Sequence, residues 1–142
     1  MTLLLRNHEI RGLMSLPEYI TAVEEGYREI GQHQGVNFPR ENLWIAGDRA
    51  KAVGGGHLPS GQKASFKFKA ALLTESGSAG MQAYTAGLPD GLETFLFLFD
   101  LNTGRLDAIM EVLYYDWLKT AAVSAVATKY LAPESSKVVA LF

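Results

Sequence analysis

Residues 94–112 read Thr94-Phe-Leu-Phe-Leu-Phe-Asp-Leu-Asn-Thr-Gly-Arg-Leu-Asp-Ala-Ile-Met-Glu-Val112. Residues 94–99 are almost continuously apolar, which is typical of a strand in a folded core. Residues 100–104 have the composition of a hairpin turn, and residues 106–112 return from it. This stretch therefore predicts two neighbouring antiparallel strands.

Further strands are predicted upstream of this hairpin. In residues 64–73 the side chains alternate, so that Phe66 and Phe68 face one way while Lys67 and Lys69 face the other. Residues 3–6, 43–46 and 51–53 are shorter candidates, and residues 54–56 are three glycines that predict a turn or a close backbone approach. Residues 74–90 combine glycines, serines and a proline, which predicts a loop or a pair of loose turns.

Two helices are predicted on either side of these strands. Ser15-Leu-Pro-Glu18 is a capping box, and apolar residues at spacings of three and four follow it, with Gly31 and Gly35 as terminators. Asp116 is placed to cap a second helix, rich in alanine, that runs to about residue 131. Residues 137–142 form an apolar run of the kind found in a buried parallel strand.

These elements together predict an α+β (α/β) fold. The N-terminal helix packs on a mixed, mainly antiparallel sheet, and a long helix and one further strand follow. We divide the chain into residues 1–113, which hold the first helix and the sheet, and residues 114–142, which hold the long helix and the last strand.

The composition excludes several classes of function. The chain has 142 residues, a formal net charge of −2 and no cysteine. A slightly acidic chain has no general affinity for nucleic acid or anionic membranes, so neither is expected as a partner. Without cysteine there are no disulfides or thiolate metal sites, and no histidines lie at metal-ligand spacing, so no metal site is expected. We expect a cytoplasmic protein.

Five segments in the same order resemble the ornithine cyclodeaminase/mu-crystallin family, four of which lie in the first 104 residues. They are the first helix from Ser15-Leu-Pro-Glu18, the segment Val36-Asn-Phe-Pro-Arg40, the strand containing Ser65-Phe-Lys67, and the hairpin Leu98-Phe-Asp-Leu-Asn-Thr-Gly104. The most specific match is the helix Tyr115-Asp-Trp-Leu-Lys-Thr-Ala-Ala-Val-Ser-Ala-Val-Ala-Thr-Lys-Tyr-Leu-Ala132. The resemblance covers essentially the whole chain and corresponds to the family's N-terminal portion.

The resemblance implies a two-domain, NAD(P)-dependent enzyme. One domain holds a small amino acid, imino acid or keto acid and forms a homodimer, and a Rossmann domain holds NAD(P). In such proteins the strand matching residues 138–142 leads into a glycine-rich turn for the pyrophosphate, and the present sequence ends before that glycine. We therefore expect that this chain alone neither binds NAD(P) nor is active.

The resemblance also assigns roles to particular residues. Arg40, Lys67 and Lys119 would hold the substrate carboxylate, and Lys67, as the catalytic residue, would lie near the reacting carbon. Thr120 would lie near the cofactor phosphates. Lys119 stands where the family usually has arginine, and an ammonium cannot present two parallel donors to a carboxylate. Lys69 has no counterpart in the family and is expected to be exposed.

The residues themselves leave plainer interpretations open. Arg40 is also compatible with a solvated surface position, Lys67 and Lys69 with the wet face of a strand, and Thr120 with simple packing. Asp116 is three residues before Lys119, a spacing that allows the two to pair. For the whole chain, the alternatives are a free-standing dimerisation or small-carboxylate-binding module without catalysis, and a domain with inherited resemblance but no function.

Overall fold

The structure, a computed structural model, describes residues 1–45, 64–88 and 92–140. In chain order the elements are β1 (Leu3–Leu5), α1 (Asn7–Ile10), α2 (Leu16–Gly31), β2 (Gly35–Ile45), β3 (Ala64–Leu73), β4 (Ser78–Ala86), β5 (Thr94–Asp100), β6 (Arg105–Glu111) and α3 (Leu113–Leu131). The described strands form one sheet in the order β1-β6-β5-β4-β3-β2. Only the β1–β6 pair is parallel among them. The predicted α+β class is confirmed.

Strands β5 and β6 form the predicted hairpin, and local hydrogen bonds stabilise its turn. The Asp100 carboxylate accepts from the main-chain N–H of Asn102 at 2.8 Å and from the Thr103 hydroxyl at 2.7 Å. Gly104 has a φ of +69°, a left-handed conformation that glycine adopts without steric cost. The predicted hairpin turn between these two strands is confirmed.

Helix α2 begins and ends where its sequence predicts. The Ser15 main-chain N–H donates to the Glu18 carboxylate at 2.7 Å, which completes the capping box. The helix ends at Gly31, although the left-handed residue that follows it is His33, with a φ of +61°.

Helix α3 starts earlier than the sequence predicts. It begins at Leu113 with Val112 as its N-cap, and the Asp116 main-chain N–H already donates to the Val112 carbonyl at 3.1 Å. Asp116 is therefore inside the first turn, and the prediction that it caps the helix is wrong. Its carboxylate is instead engaged by other side chains, which are described below.

The prediction of a loop over residues 74–90 is also wrong for most of its length. Ser78–Ala86 is strand β4, which pairs with β3 on one side and β5 on the other. Glycine and alanine have weak strand propensity, but pairing with two neighbours outweighs it. The turn at residues 74–77, where Gly77 has a φ of +66°, and residues 87–88 have the predicted irregular structure, whereas residues 89–90 lie outside the described residues.

The predicted strand at residues 137–142 is not formed over residues 137–140, which have no regular structure. A strand needs a neighbour to satisfy its main-chain groups, and none of the described strands pairs with this segment. The strand predicted at residues 51–53, the glycines at 54–56 and His57 lie outside the described residues.

Helices α2 and α3 lie together on one face of the sheet. The Tyr19 and Tyr115 rings meet edge to face with centroids 4.6 Å apart, and the Lys129 ammonium pairs with the Glu24 carboxylate at 2.8 Å. Ala122 and Val126 of α3 are buried. This packing holds α3 above the central strands, where its polar side chains can meet those of β3 and β4.

Glu29 ties α2 to the β3–β4 turn. Its carboxylate is 8% exposed and accepts from the main-chain N–H groups of Glu75 and Ser76 at 3.1 and 3.3 Å. We expect Glu29→Ala to lower the free energy of unfolding by about 2 kcal/mol, because both donors lose their partner. Urea unfolding measures this. The exposed Glu25→Ala is the matched control, and equal effects of the two changes would contradict the assignment.

Candidate carboxylate-binding site

Two lysines of β3 point toward the helices. Lys67 pairs across the sheet with Tyr84 of β4, and Lys69 pairs with Gln82. Cross-strand partners share a face of the sheet, so these four side chains lie on one side. The ammonium groups of Lys67 and Lys69 lie 5.9 and 6.0 Å from the centre of the Tyr84 ring, within reach of a cation–π interaction.

Arg40 reaches the same tyrosine from the sheet edge. Its guanidinium Nη1 donates to the Tyr84 hydroxyl at 3.0 Å. Arg40 is part of β2, at an irregularity in the pairing with β3 between Phe38 and Glu41. Pro39 has no N–H for a ladder bond, and an edge strand with a bulge tolerates this.

Lys119 completes the cluster from α3. Its ammonium donates to the Asp116 carboxylate at 2.8 Å, so the predicted pair is present. Lys69 lies 3.9 Å from the same Asp116 oxygen, and the Gln82 amide donates to it at 3.4 Å. Asp116 therefore links Lys119 of α3, to which the resemblance assigns a role, with Lys69 of β3, to which it assigns none.

Burial and charge separate the two lysines that share Asp116. Burial, together with the neighbouring Lys119 ammonium, lowers the pKa of Lys69 to about 8, despite the opposing attraction of Asp116. For Lys119, burial opposes the charged form, but the hydrogen bond to Asp116 outweighs it and the pKa is raised. Burial also opposes ionisation of Asp116, yet the Lys119 hydrogen bond keeps its pKa below the usual range. Lys119 therefore has the higher pKa of the two and keeps its proton to a higher pH than Lys69.

The cluster carries more positive than negative charge. Arg40, Lys67, Lys69 and Lys119 converge on Tyr84 and Asp116, and Asp116 is the carboxylate that the described residues bring within ion-pair distance of two of these cations. Half-buried cations without matching anions favour an anionic ligand, because desolvation strengthens the attraction. The described arrangement is therefore suited to hold a small carboxylate.

The sequence predicts part of this cluster and misses the rest. Arg40, Lys67 and Lys119 come together, whereas Lys69 is half-buried and ion-paired, so the prediction that it is exposed is wrong. The sequence does not identify Tyr84 and Gln82 as site residues, because the composition of residues 74–90 predicts a loop. The signal for them is the alternation of residues 81–84, in which Gln82 and Tyr84 follow Met81 and Ala83.

Thr120 lies beside the cluster in sequence but is turned to solvent. Its hydroxyl donates to the main-chain carbonyl of Asp116 at 2.8 Å, an ordinary bond within the helix. Its role near cofactor phosphates stays a prediction.

Among the described residues, no glycine-rich turn leads from a strand into the N-terminus of a helix. A pyrophosphate is usually held by a glycine-rich turn between a strand and the N-terminus of a helix. The glycines with positive φ, Gly12, Gly77, Gly87 and Gly104, are placed elsewhere: Gly12 between two helices, Gly77 and Gly104 in β-hairpin turns, and Gly87 after β4.

Among the described residues, no histidine and carboxylate side chains are grouped as metal ligands would be. No described helix is long and apolar enough to cross a bilayer.

Comparison with known proteins points to one family. The model of the ornithine cyclodeaminase/mu-crystallin family matches residues 2–142. The chain is 31% identical over 140 residues to the iminosuccinate reductase of Paracoccus denitrificans (strain Pd 1222), covering 98% of this chain and 41% of that protein. It is 30% identical to the alanine dehydrogenase of Archaeoglobus fulgidus, covering 96% of this chain and 39% of that protein.

Solved structures agree with these matches. The Paracoccus denitrificans iminosuccinate reductase in complex with NAD⁺ superposes with a TM-score of 0.76 at 26% identity, over 96% of this chain and 40% of that one. An archaeal alanine dehydrogenase dimer with bound NAD superposes with a TM-score of 0.71 at 25% identity, over 95% of this chain and 38% of that one. The Thermococcus litoralis Δ1-pyrroline-2-carboxylate reductase in complex with NADH and L-proline superposes with a TM-score of 0.72 at 25% identity, over 96% of this chain and 40% of that one. The chain thus spans about two fifths of its relatives.

Proposed function

Because the chain belongs to the ornithine cyclodeaminase/mu-crystallin family, we propose that it is the substrate-binding and dimerisation portion of an NAD(P)-dependent enzyme. The substrate is a small amino acid, imino acid or keto acid. The proposal includes a cytoplasmic location, which a sequence without cysteine supports. NAD(P) binding is assigned to the rest of such an enzyme, so this chain alone is expected to be inactive.

The convergence of Arg40, Lys67 and Lys119 on one side of the sheet carries the proposal. A 2-oxo or 2-amino acid presents a carboxylate, and charge-assisted hydrogen bonds from these cations would fix its position. The pyrroline-2-carboxylate reductase that superposes on this chain is described with L-proline, which also presents a carboxylate beside its reacting carbon. Lys67, whose ammonium lies 5.9 Å from the centre of the Tyr84 ring, is proposed as the catalytic residue near the reacting carbon, as the family resemblance implies.

Titration of the purified chain with pyruvate, followed by NMR, tests the carboxylate site. We expect Arg40→Met and Lys67→Met each to weaken pyruvate binding about 10-fold or more, since a hydrogen bond to a charged group contributes about 1.5–3 kcal/mol. The matched control is Arg105→Met, because Arg105 pairs with Asp107 at the hairpin and lies outside the cluster.

Two outcomes would contradict the proposal. Pyruvate binding that survives both substitutions would show that the cluster is not the site. Micromolar binding of NADH by this chain alone, measured by calorimetry, would overturn the assignment of the dinucleotide site to the rest of the enzyme. Carboxylate binding without any effect of NADH is the expected result.

Dimerisation is proposed through the face of the sheet that the helices leave uncovered. Its side chains are apolar and come from four neighbouring strands: Phe66, Phe68, Leu72, Met81, Phe95, Phe97 and Ile109. Phe66 is 41% exposed and Met81 36% exposed. An apolar face of this kind is typical of an interface. A second copy of the chain is the proposed partner, as the dimer described for the archaeal alanine dehydrogenase suggests.

A further inference from the structure

A cleft of about 430 Å³ lies between the helices and the sheet, next to the cationic cluster. Its walls are mainly apolar and come from α2, α3 and the central strands: Val23, Ile30, Leu73, Leu96 and Val123. Lys69 and Lys119 supply its cationic groups. The volume lies within the range of small-molecule sites, about 300–1,000 Å³.

Glycines leave the space open. A Cβ at Gly26 of α2 would make only ordinary contact with the Leu73 side chain, at 3.6 Å. A Cβ at Gly80 of β4 would lie 3.7 Å from the Phe97 carbonyl and 3.8 Å from the Leu96 side chain. Larger residues would therefore fit at both positions by growing into the cleft, and their absence keeps it empty of side chains.

The charges at the cleft are unequal. Lys69 and Lys119 share the single carboxylate of Asp116, at 3.9 and 2.8 Å, and Arg40 adds further positive potential at Lys69. Tyr27 and Gln82, which also line the cleft, bring no negative charge at neutral pH. A ligand carboxylate at Lys69 would balance the second positive charge and offset the free-energy cost of burying the Lys69 ammonium.

The geometry points to a binding site for a monocarboxylate with an apolar tail. The head group meets Lys69 and Lys119, and the tail lies in the cleft between α2, α3 and the sheet. The walls recognise the tail through burial of apolar surface, and the unmatched ammonium recognises the head. This site shares Lys119 with the proposed substrate site, but its second cation, Lys69, and its apolar walls are separate from Arg40, Lys67 and Tyr84.

Octanoate is the probe, with octanol and butyrate as matched ligands. Octanoate keeps both head and tail, octanol lacks the charge, and butyrate lacks most of the tail. We expect calorimetry or NMR on the full chain to give an octanoate affinity at least 10-fold above that of either control. Because a carboxylate stabilises the charged form of Lys69, binding near pH 8 is also expected to take up protons from the buffer.

Three variants locate the ligand. Lys69→Met is expected to weaken octanoate about 10-fold and leave octanol unchanged, whereas the exposed Lys137→Met changes neither. Gly26→Leu, and independently Gly80→Val, are expected to abolish octanoate binding by filling the cleft, with folding checked by thermal unfolding. Pyruvate binding is expected to survive the cleft-filling variants, which separates this site from the proposed substrate site.

The opposite results would overturn the site. Equal affinity for octanoate and octanol would show that the lysines take no part. Octanoate binding that persists in Gly26→Leu and Gly80→Val would show that the ligand lies elsewhere, for example on the exposed apolar face of the sheet.

Discussion

Replacing Met81 with glutamate is expected to weaken the proposed self-association of the chain at least ~100-fold. Met81 lies in β4, on the face of the sheet opposite the helices, and is 36% exposed. Its cross-strand neighbours are Ala70 and Phe97. The new carboxylate would therefore enter the centre of the apolar face without a cation opposite it.

The size of the effect follows from burial. An uncompensated charge in an interface costs about 3 kcal/mol or more, which corresponds to a ~100-fold change in affinity. In a twofold-symmetric dimer the substitution occurs on both sides, so the cost is paid by each copy. In the monomer the same side chain stays in contact with water, and the fold is expected to tolerate it.

Sedimentation at several concentrations measures the change. The control is Leu13→Glu, since Leu13 is 59% exposed but lies in the connection between α1 and α2, away from this face. Phe66→Glu, at another exposed position of the face, is an independent second variant. A wild-type chain that sediments as a monomer throughout, or a Met81→Glu dimer of unchanged affinity, would refute the proposed interface.

The sequence predicts the fold well where local chemistry decides the structure. In the capping box at Ser15 and in the turn at Asp100 to Gly104, side chains accept hydrogen bonds from main-chain N–H groups two or three residues away. Because both partners lie in the same short segment, the local sequence is enough to predict these structures. The β4 strand behaves differently, because Gly80 and its small neighbours become a strand only through pairing with β3 and β5. The only local signal, the alternation of residues 81–84, is too short to outweigh the loop-like composition of residues 74–90.

The candidate site shows the same division. Arg40, Lys67 and Lys119 are identified by resemblance, and the Asp116–Lys119 spacing predicts their pair. The position of Lys69 depends on which face of β3 the helices cover. The alternation of residues 64–73 separates two faces but does not say which one α3 lies on. That choice is tertiary, and it changes Lys69 from an exposed residue to a half-buried one.

Lys69 is accordingly expected to be deprotonated more easily than Lys119. Its pKa is lowered to about 8 by burial and by the Lys119 ammonium. At pH 8 about half of the molecules would carry a neutral amine at this position, against about 0.4% for a lysine with the ordinary pKa. The neutral fraction, which is the nucleophilic form of the amine, is thus roughly 100-fold larger.

The sign of the effect on stability follows from the same shift. Lys69 has its folded pKa below the ordinary value of 10.5, so between pH 8 and 10.5 the unfolded chain binds more protons there than the folded chain. The contribution of Lys69 to the free energy of unfolding therefore rises with pH across this window and is least favourable below pH 8.

Titration of the lysine ¹³Cε resonances from pH 6 to 11 measures the pKa directly. Lys119→Met is expected to move the Lys69 midpoint upward, because it removes a neighbouring ammonium while keeping a side chain of similar length. Lys137→Met, on an exposed residue, is expected to leave it unchanged. A wild-type midpoint above 10, or one that Lys119→Met does not move, would show that Lys69 is solvated and separate from Asp116 and Lys119.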